Sequence, residues 1–343
     1  MSAPLVPPKP RRGARSPRRF LAPALLYAVL IAGAIPILIP FVWMLSSSLK
    51  TKEMVAEMPP RWIPTNVRTY IATPTGRQEV VVLVEGERAK VRLPDGRTDW
   101  VPGRELVKER RVELRTENYT RILTPRAGSS DDDFVRFLLN TLLICGLSVI
   151  GQVLSSSLVG WGFARLQFAG KNVLFMVMLA TMMIPGQIGM IPSFMIFRQL
   201  GWIDTFLPLI VPAFFGSAFF AFLYRQYFLS IPLELDEAAK MDGCSPVRTY
   251  WTILLPLAKP VTVTVAVFTF LGAWNEFLSP LIYLNSDHKR TLSLALAKFQ
   301  GAYGTDIPML MAGATLMLLP VLVIYFLSQR AMVEGMVVGG VKG

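Results

Sequence analysis

The chain has 343 residues, 52% of them hydrophobic and only 17% charged, with a formal net charge of +12. About a quarter of the residues in a soluble domain are charged, so this balance excludes an ordinary water-soluble enzyme and points to an integral membrane protein. The basic excess does not indicate nucleic acid, because it is spread through the short segments that flank apolar runs.

Residues 1–19 form a Pro- and Arg-rich tail with Arg11, Arg12, Arg15, Arg18 and Arg19, the charge expected of a cytoplasmic end. The apolar run that follows is too long for the core of a secretory signal and lacks a small-residue cleavage site, so residues 20–48 are expected to be an uncleaved first span. Apolar runs near 21–47, 134–164, 172–198, 204–228, 260–284 and 308–328 can each cross roughly 30 Å of hydrocarbon as a helix. Basic residues recur at Arg165 and Lys171, at Arg225, Lys240, Arg248 and Lys259, and at Arg330 and Lys342. This pattern predicts an all-α integral membrane fold of six transmembrane helices with both termini cytoplasmic.

Residues 49–133 are the first large extracytoplasmic excursion, and 70–116 within it read as a small β-rich insert. Val81–Val84, Val91, Leu93, Trp100-Val101-Pro102 and Leu106-Val107 are short β-like runs, with Glu85-Gly86 and Asp95-Gly96 as hairpin turns. The stretch 91–106 resembles part of an SH3-like barrel. Such an insert either meets an external partner or is a surface-loop insertion that costs little stability.

Gly160, Gly162 and Ala164 in the second span suit close helix packing. In the third, Pro185-Gly186-Gln187 and Pro192 interrupt regular helix, and Gln187 then either faces a cavity or marks a simple kink. Met176, Met178, Met182, Met183 and Met190 suit adaptable packing. The fifth span contains Trp274-Asn275-Glu276-Phe277. A carboxylate in an apolar segment is costly unless it is paired or wet, so Glu276 and Asn275 either line a path or bond a neighbouring helix. Trp274 either offers its ring to that path or packs in the core.

The polar loop 229–258 carries Asp236-Glu237 at a helix start, helix-favouring Ala238 and Ala239, Gly243 for a positive φ, and Ser245-Pro246 to begin a second helix running to Leu255-Pro256. Read alone, it is a helix–turn–helix. The chain has no phosphate-binding Gly-rich loop, nucleophile elbow or zinc-ligand pair. Cys145 in a span and Cys244 in the loop do not suit a disulfide, and His288 sits in a solvated loop.

Glu237-Ala238-Ala239-Lys240-Met241-Asp242-Gly243 with Ile253-Leu254-Leu255-Pro256 resembles the "EAA" loop of ATP-binding cassette (ABC) importer permeases. Phe134–Thr141 resembles their entry to the second span, Trp274–Phe277 their "W-N-E-F" region, and Gln329 to Gly343 the tail of the carbohydrate-importing, MalG-like members. The resemblance covers roughly 20–60 and 118–343 and departs at the insert.

It implies a MetI-like permease fold with a core at 134–330 and a Gly-rich cytoplasmic tail at 331–343. Docking to an ATPase would fall to Glu237, Ala238, Ala239, Asp242, Gly243, Leu255 and Pro256. The tail would reach the same ATPase through Gln329, Gly335, Gly339, Gly340, Lys342 and Gly343, its glycines suiting a flexible strand. Implied partners are a homologous permease, two ATPase subunits, an extracytoplasmic solute-binding protein and the lipid bilayer of a bacterial or archaeal inner membrane. ATP and magnesium would be bound by the partner ATPase, so this chain is expected to be non-catalytic and to carry no cofactor. The cargo expected is a sugar or oligosaccharide. Glycerol-3-phosphate or a polyamine is the near alternative, and an ATP-independent secondary transporter or a peptide-binding membrane scaffold the more distant ones.

Overall fold

The structure, a computed structural model, describes residues 18–73, 76–124, 133–301 and 304–340. A long apolar helix α1 (Arg18–Ser48) and a short α2 (Lys52–Ala56) lead into five strands, β1 (Thr65–Thr73), β2 (Gly76–Val84), β3 (Arg88–Arg92), β4 (Thr98–Pro102) and β5 (Leu106–Val112). After α3 (Glu117–Leu123) come α4 (Phe134–Arg165), α5 (Lys171–Thr181), α6 (Met190–Gln199), α7 (Leu207–Ile210) and α8 (Ala218–Ser230). The loop region holds α9 (Glu234–Met241), α10 (Pro246–Thr249) and α11 (Leu255–Leu257), and α12 (Lys259–Asn275) re-enters the bundle. The chain then forms α13 (Leu278–Tyr283), α14 (Leu292–Ala297), the two-residue strands β6 (Gln300–Gly301) and β7 (Gly304–Thr305), and α15 (Ile307–Gly340).

Among the described residues, four stretches are long and apolar enough to cross a membrane: Leu25–Ser48, Phe134–Arg165, Leu207–Ser230 and Ile307–Arg330. The number rises to six when each of two bent pairs counts as one span. The run expected at 172–198 is not one straight helix. It bends by 90° between Lys171–Thr181 and Gly186–Gln199, where Pro185 and Gly186 remove the donor and the side chain that would carry the helix on. The run expected at 260–284 also breaks: α12 ends at Asn275, and Glu276 adopts an extended conformation (φ −65°, ψ 127°) before α13.

α4 is the centre of the bundle. On one side Phe137 and Cys145 pack with Phe270, Trp274, Leu292 and Ala312; on the other, Trp161 and Ala164 pack with Tyr224, Phe228, Tyr250 and Val265. Gly160 allows the close crossing of α4 and α8, since a Cβ there would lie 2.5 Å from Tyr224 Cβ. Gly162, expected to do the same, faces open space, with nothing within 4 Å of a Cβ. The methionine patch is likewise unpacked within the chain: Met183 is 84% exposed, and none of the residues of α5 or α6 is buried.

The five strands form one antiparallel sheet in the order β4-β3-β2-β1-β5, around a small core of Ile71, Val80, Ala89 and Val91. A 3₁₀ turn at Gly103–Glu105 precedes β5. Both expected hairpin turns are present, with Gly96 at φ +84°. The boundaries differ from 70–116, because the sheet runs from Thr65 to Val112 and opens with β1, which lies between β2 and β5. That strand pairs on both edges, which satisfies its main chain whatever its side chains, so Thr65–Arg68 carry little apolar signal.

The segments that flank the sheet are tied to one another and to the start of α15. Asn118 Nδ2 donates to Ser48 O (2.8 Å) and Lys50 O (3.0 Å), Ser48 and Tyr119 hydroxyls meet at 2.6 Å, and Lys52 pairs with Asp306 at 2.9 Å. Lys50 is 1% exposed; its amine donates to Arg61 O and lies 4.2 Å from the Trp43 ring centre, and burial lowers its pKa. Asp204, at φ +59°, fastens the α6–α7 turn to the segment after α13. It accepts from Asn285 N (3.0 Å), Ser286 N (2.9 Å), Ser286 Oγ (2.6 Å) and Lys289 Nζ (3.0 Å).

Candidate functional site

Two features stand at opposite ends of α4. At its carboxyl end lies the polar loop. Glu234, Asp236 and Glu237 occupy the first turn of α9 and Lys240 the last, each matching the sign of the helix dipole. Gly243 at φ +76° closes the helix, with Gly243 N donating to Lys240 O and Cys244 N to Ala239 O, a glycine cap that a Cβ would strain. Ser245 Oγ then caps α10 by accepting from Arg248 N at 3.3 Å. A widened turn at Tyr250–Leu254 carries the second helix to Leu257, and a 76° bend follows before α12.

The loop is held from α4 at two points. Arg165, with its side chain 9% exposed, pairs with Asp236 at 3.2 Å and donates to Ile231 O at 2.7 Å. The Tyr250 hydroxyl meets Ser157 Oγ at 2.7 Å, both residues fully buried. Glu237, Ala238, Asp242, Gly243 and Pro256 are exposed, as are Met241 (87%), Val247 and Trp251. Leu255 is half-buried. Ala239 is 3% exposed, so its expected place on a docking face is corrected: helical periodicity turns it back onto the bundle.

Toward the other end, α4, the α7–α8 segment and α12 border a cleft of about 330 Å³. Ser148, Gln152, Thr269, Gly272 and Glu276 are among its lining residues. Ser148 Oγ donates to Leu209 O and Gln152 Nε2 to Ser156 Oγ, while Thr269 Oγ1 is buried without a hydrogen-bond partner. Among the described residues, no Lys, Arg or His lines it. Glu276 Oε1 accepts from Ser279 N at 3.1 Å, and its main-chain carbonyl accepts from Ser293 Oγ at 2.7 Å.

Of the four path candidates, Glu276 alone borders this cleft. Trp274 is 1% exposed and stacked on Phe270 at 5.2 Å, so it is a core residue with no face free for a ring. Asn275 Nδ2 donates back to Leu271 O at 2.8 Å, and Gln187 is exposed on the 3₁₀ turn at the 90° bend. In the tail, Gln329 donates to Phe326 O at 3.1 Å, and the backbone at Gly335, Gly339 and Gly340 continues α15 as helix instead of an extended strand. Lys342 and Gly343 lie outside the described residues.

Residues 156–338 match the family described as "Binding-protein-dependent transport system inner membrane component". The chain belongs to that family. The permease is 34% identical over 210 residues (61% of the chain, 74% of the relative) to the arabinooligosaccharides transport system permease protein AraQ of Bacillus subtilis. It is 32% identical over 231 residues (66% and 81%) to the trehalose/maltose transport system permease protein MalG of Thermococcus litoralis. A crystal structure of a bacterial ABC transporter involved in the import of the acidic polysaccharide alginate matches 93% of the permease and 98% of its own chain, with a TM-score of 0.65 at 22% identity. That likeness speaks to the fold.

Sequence reasoning missed Arg165, Tyr250 and the cleft wall of the permease. One signal was legible: Ser148, Gln152 and Ser156 recur every four residues along a largely apolar helix, which places them on one face. Arg165 was counted only as an orientation charge, and its partnership with Asp236, 71 positions away in the sequence, has no local signature.

Proposed function

We propose that this chain is one of two integral subunits of an ABC importer for a sugar or oligosaccharide. Six spans, those at 172–198 and 260–284 broken, would place both termini and the 229–258 loop in the cytoplasm and the sheet outside. The loop at Glu237–Pro256 docks a separate ATPase subunit through its exposed edge of Glu237, Ala238, Met241 and Asp242. A solute-binding protein delivers cargo from outside. A homologous permease covers the exposed apolar face of the α5–α6 segment, where Met183, Ile188 (68%) and Ile191 (75%) stand exposed among the described residues. Closure of the ATPase pair on ATP would shift the bundle between two states, which requires ATP and cargo to bind those states unequally.

The observation that carries this reading is the loop's two-sided construction: one edge bare, the other clamped to α4 by Arg165 and Tyr250. The named cargoes of AraQ and MalG support carbohydrate. The test is co-purification of the chain with its ATPase and partner permease, comparing wild type with Glu237→Lys and Gly243→Asp. Loss of the ATPase from both variants while the two permeases stay together is expected. Retained association with normal ATP-dependent uptake overturns the docking role and favours an ATP-independent transporter.

A further inference from the structure

Glu276 is a carboxylate on the wall of the cleft, and no salt bridge neutralises it among the described residues. It stands at the end of α12, where the helix stops and the chain extends, and its Oε1 is steadied by Ser279 N. The other polar groups facing the cleft are hydroxyls and the Gln152 amide, and one of them, Thr269 Oγ1, lacks a partner. Hydroxyl and amide groups exchange hydrogen bonds with a polyhydroxylated ligand at no charge cost. A fixed negative charge with no counter-ion in the same wall repels an anion.

We propose that Glu276 makes this cleft a charge filter, admitting neutral polyhydroxylated solutes and rejecting anionic ones such as uronic-acid oligosaccharides or phosphate esters. This rests on the importer reading above and sets the charge class of its cargo. The filter is electrostatic and local, so replacement of the carboxylate by its isosteric amide removes the selection while keeping an oxygen for Ser279 N.

The potential in the cleft is measurable without knowing the cargo. Gly272 lines the cleft one helical turn before Glu276, and a Cβ there meets nothing within 4 Å. Gly272→Cys, in a Cys244→Ser background, therefore places a reporter thiol about 6 Å from the carboxylate; the native Cys145 is fully buried. Reaction rates with a cationic and an anionic methanethiosulfonate are compared in the reconstituted transporter, with and without Glu276→Gln.

The expected result is a cation-to-anion rate ratio that falls about tenfold or more in Glu276→Gln, as a full charge at that distance in a wet cleft requires. An unchanged ratio, or a thiol that neither reagent reaches, overturns the filter. Uptake is scored in parallel for a neutral oligosaccharide and a uronic-acid oligosaccharide of equal length. Neutral uptake retained with the anionic share raised supports the filter. Loss of neutral uptake in Glu276→Gln with the complex assembled and the ratio unmoved assigns Glu276 a structural role and overturns it. A wild-type transporter that moves no carbohydrate while the thiol ratio shifts as expected defeats the importer reading for sugars and leaves the electrostatics of the cleft standing.

Discussion

Arg165→Ala tests how the loop is held. Arg165 reaches from the last turn of α4 to Asp236 (3.2 Å) and to Ile231 O (2.7 Å), so one side chain fixes both the approach to α9 and its first turn. Removing one partner of a fully buried pair costs roughly 3–5 kcal/mol. Asp236 keeps 23% of its side-chain exposure and water replaces part of what is lost, which brings the figure to about 2 kcal/mol. The loss falls on the loop's orientation, because the cores around Tyr224 and Phe137 do not include Arg165. A docking-competent orientation made less favourable by about 2 kcal/mol weakens apparent ATPase affinity by roughly 30-fold. Titration of the detergent-solubilised permease pair with purified ATPase reads that affinity directly, and amide hydrogen exchange over 234–242 reads the loop itself. Arg165→Lys is expected to fall between, keeping the charge but losing the fork that spans two acceptors. Wild-type affinity and wild-type exchange in Arg165→Ala would refute the clamp.

Three further predictions test other parts of the molecule. Asp204→Ala removes four hydrogen bonds between two loops and is expected to lower the thermal midpoint of the complex clearly more than Asp204→Asn, which tolerates the positive φ and keeps one acceptor. Burial alone would raise the Asp204 pKa, but the bonds from Ser286, Lys289 and Asn285 outweigh it and hold the carboxyl well below its ordinary value. Its contribution is therefore present above the usual carboxylate range and is lost only as pH falls through the depressed pKa, so the Asp204→Ala deficit should be flat from about pH 5 to 8. Gly160→Ala should destabilise the α4–α8 contact by about 1–3 kcal/mol while Gly162→Ala is silent or mildly stabilising, and equal effects on thermal unfolding would contradict the packing described. Replacing Thr65–Val112 by a short linker should leave a monodisperse, transporting complex, because Glu113 N already donates to Pro64 O across the base; excising 78–114 instead leaves β1 with both edges bare and should aggregate.

What the sequence made legible follows from which forces are local. Helix length in a membrane is set by consecutive apolar residues, so the bundle could be placed from composition, and Pro185-Gly186 marked the break before its 90° angle was visible. The positive φ at Gly243 and the cap at Ser245 are likewise decided within a few residues. β1 escaped because its pairing energy comes from neighbours on both sides. Trp274 stayed open between path and core because one-dimensional context cannot distinguish a ring facing a cavity from a ring facing Phe270. Glu276 stood out as a carboxylate in an apolar run, yet its bond from Ser279 N in the first turn of α13 depends on the preceding helix ending at Asn275.

α4 joins the two halves of the candidate site. Gln152 borders the cleft and Arg165 grips the loop, and the intervening residues form one unbroken helix, about 20 Å of rigid rod at 1.5 Å per residue. Ser157 meets the second loop helix through Tyr250 from the same rod. A displacement of the loop therefore acts on the cleft wall as movement of a single element, and no relay of side chains is needed to carry it. The same geometry limits where coupling can be broken without unfolding the bundle. Those places are the two grips at Arg165 and Tyr250, because a cut in the rod itself would also disturb the residues that α4 gives to both core clusters.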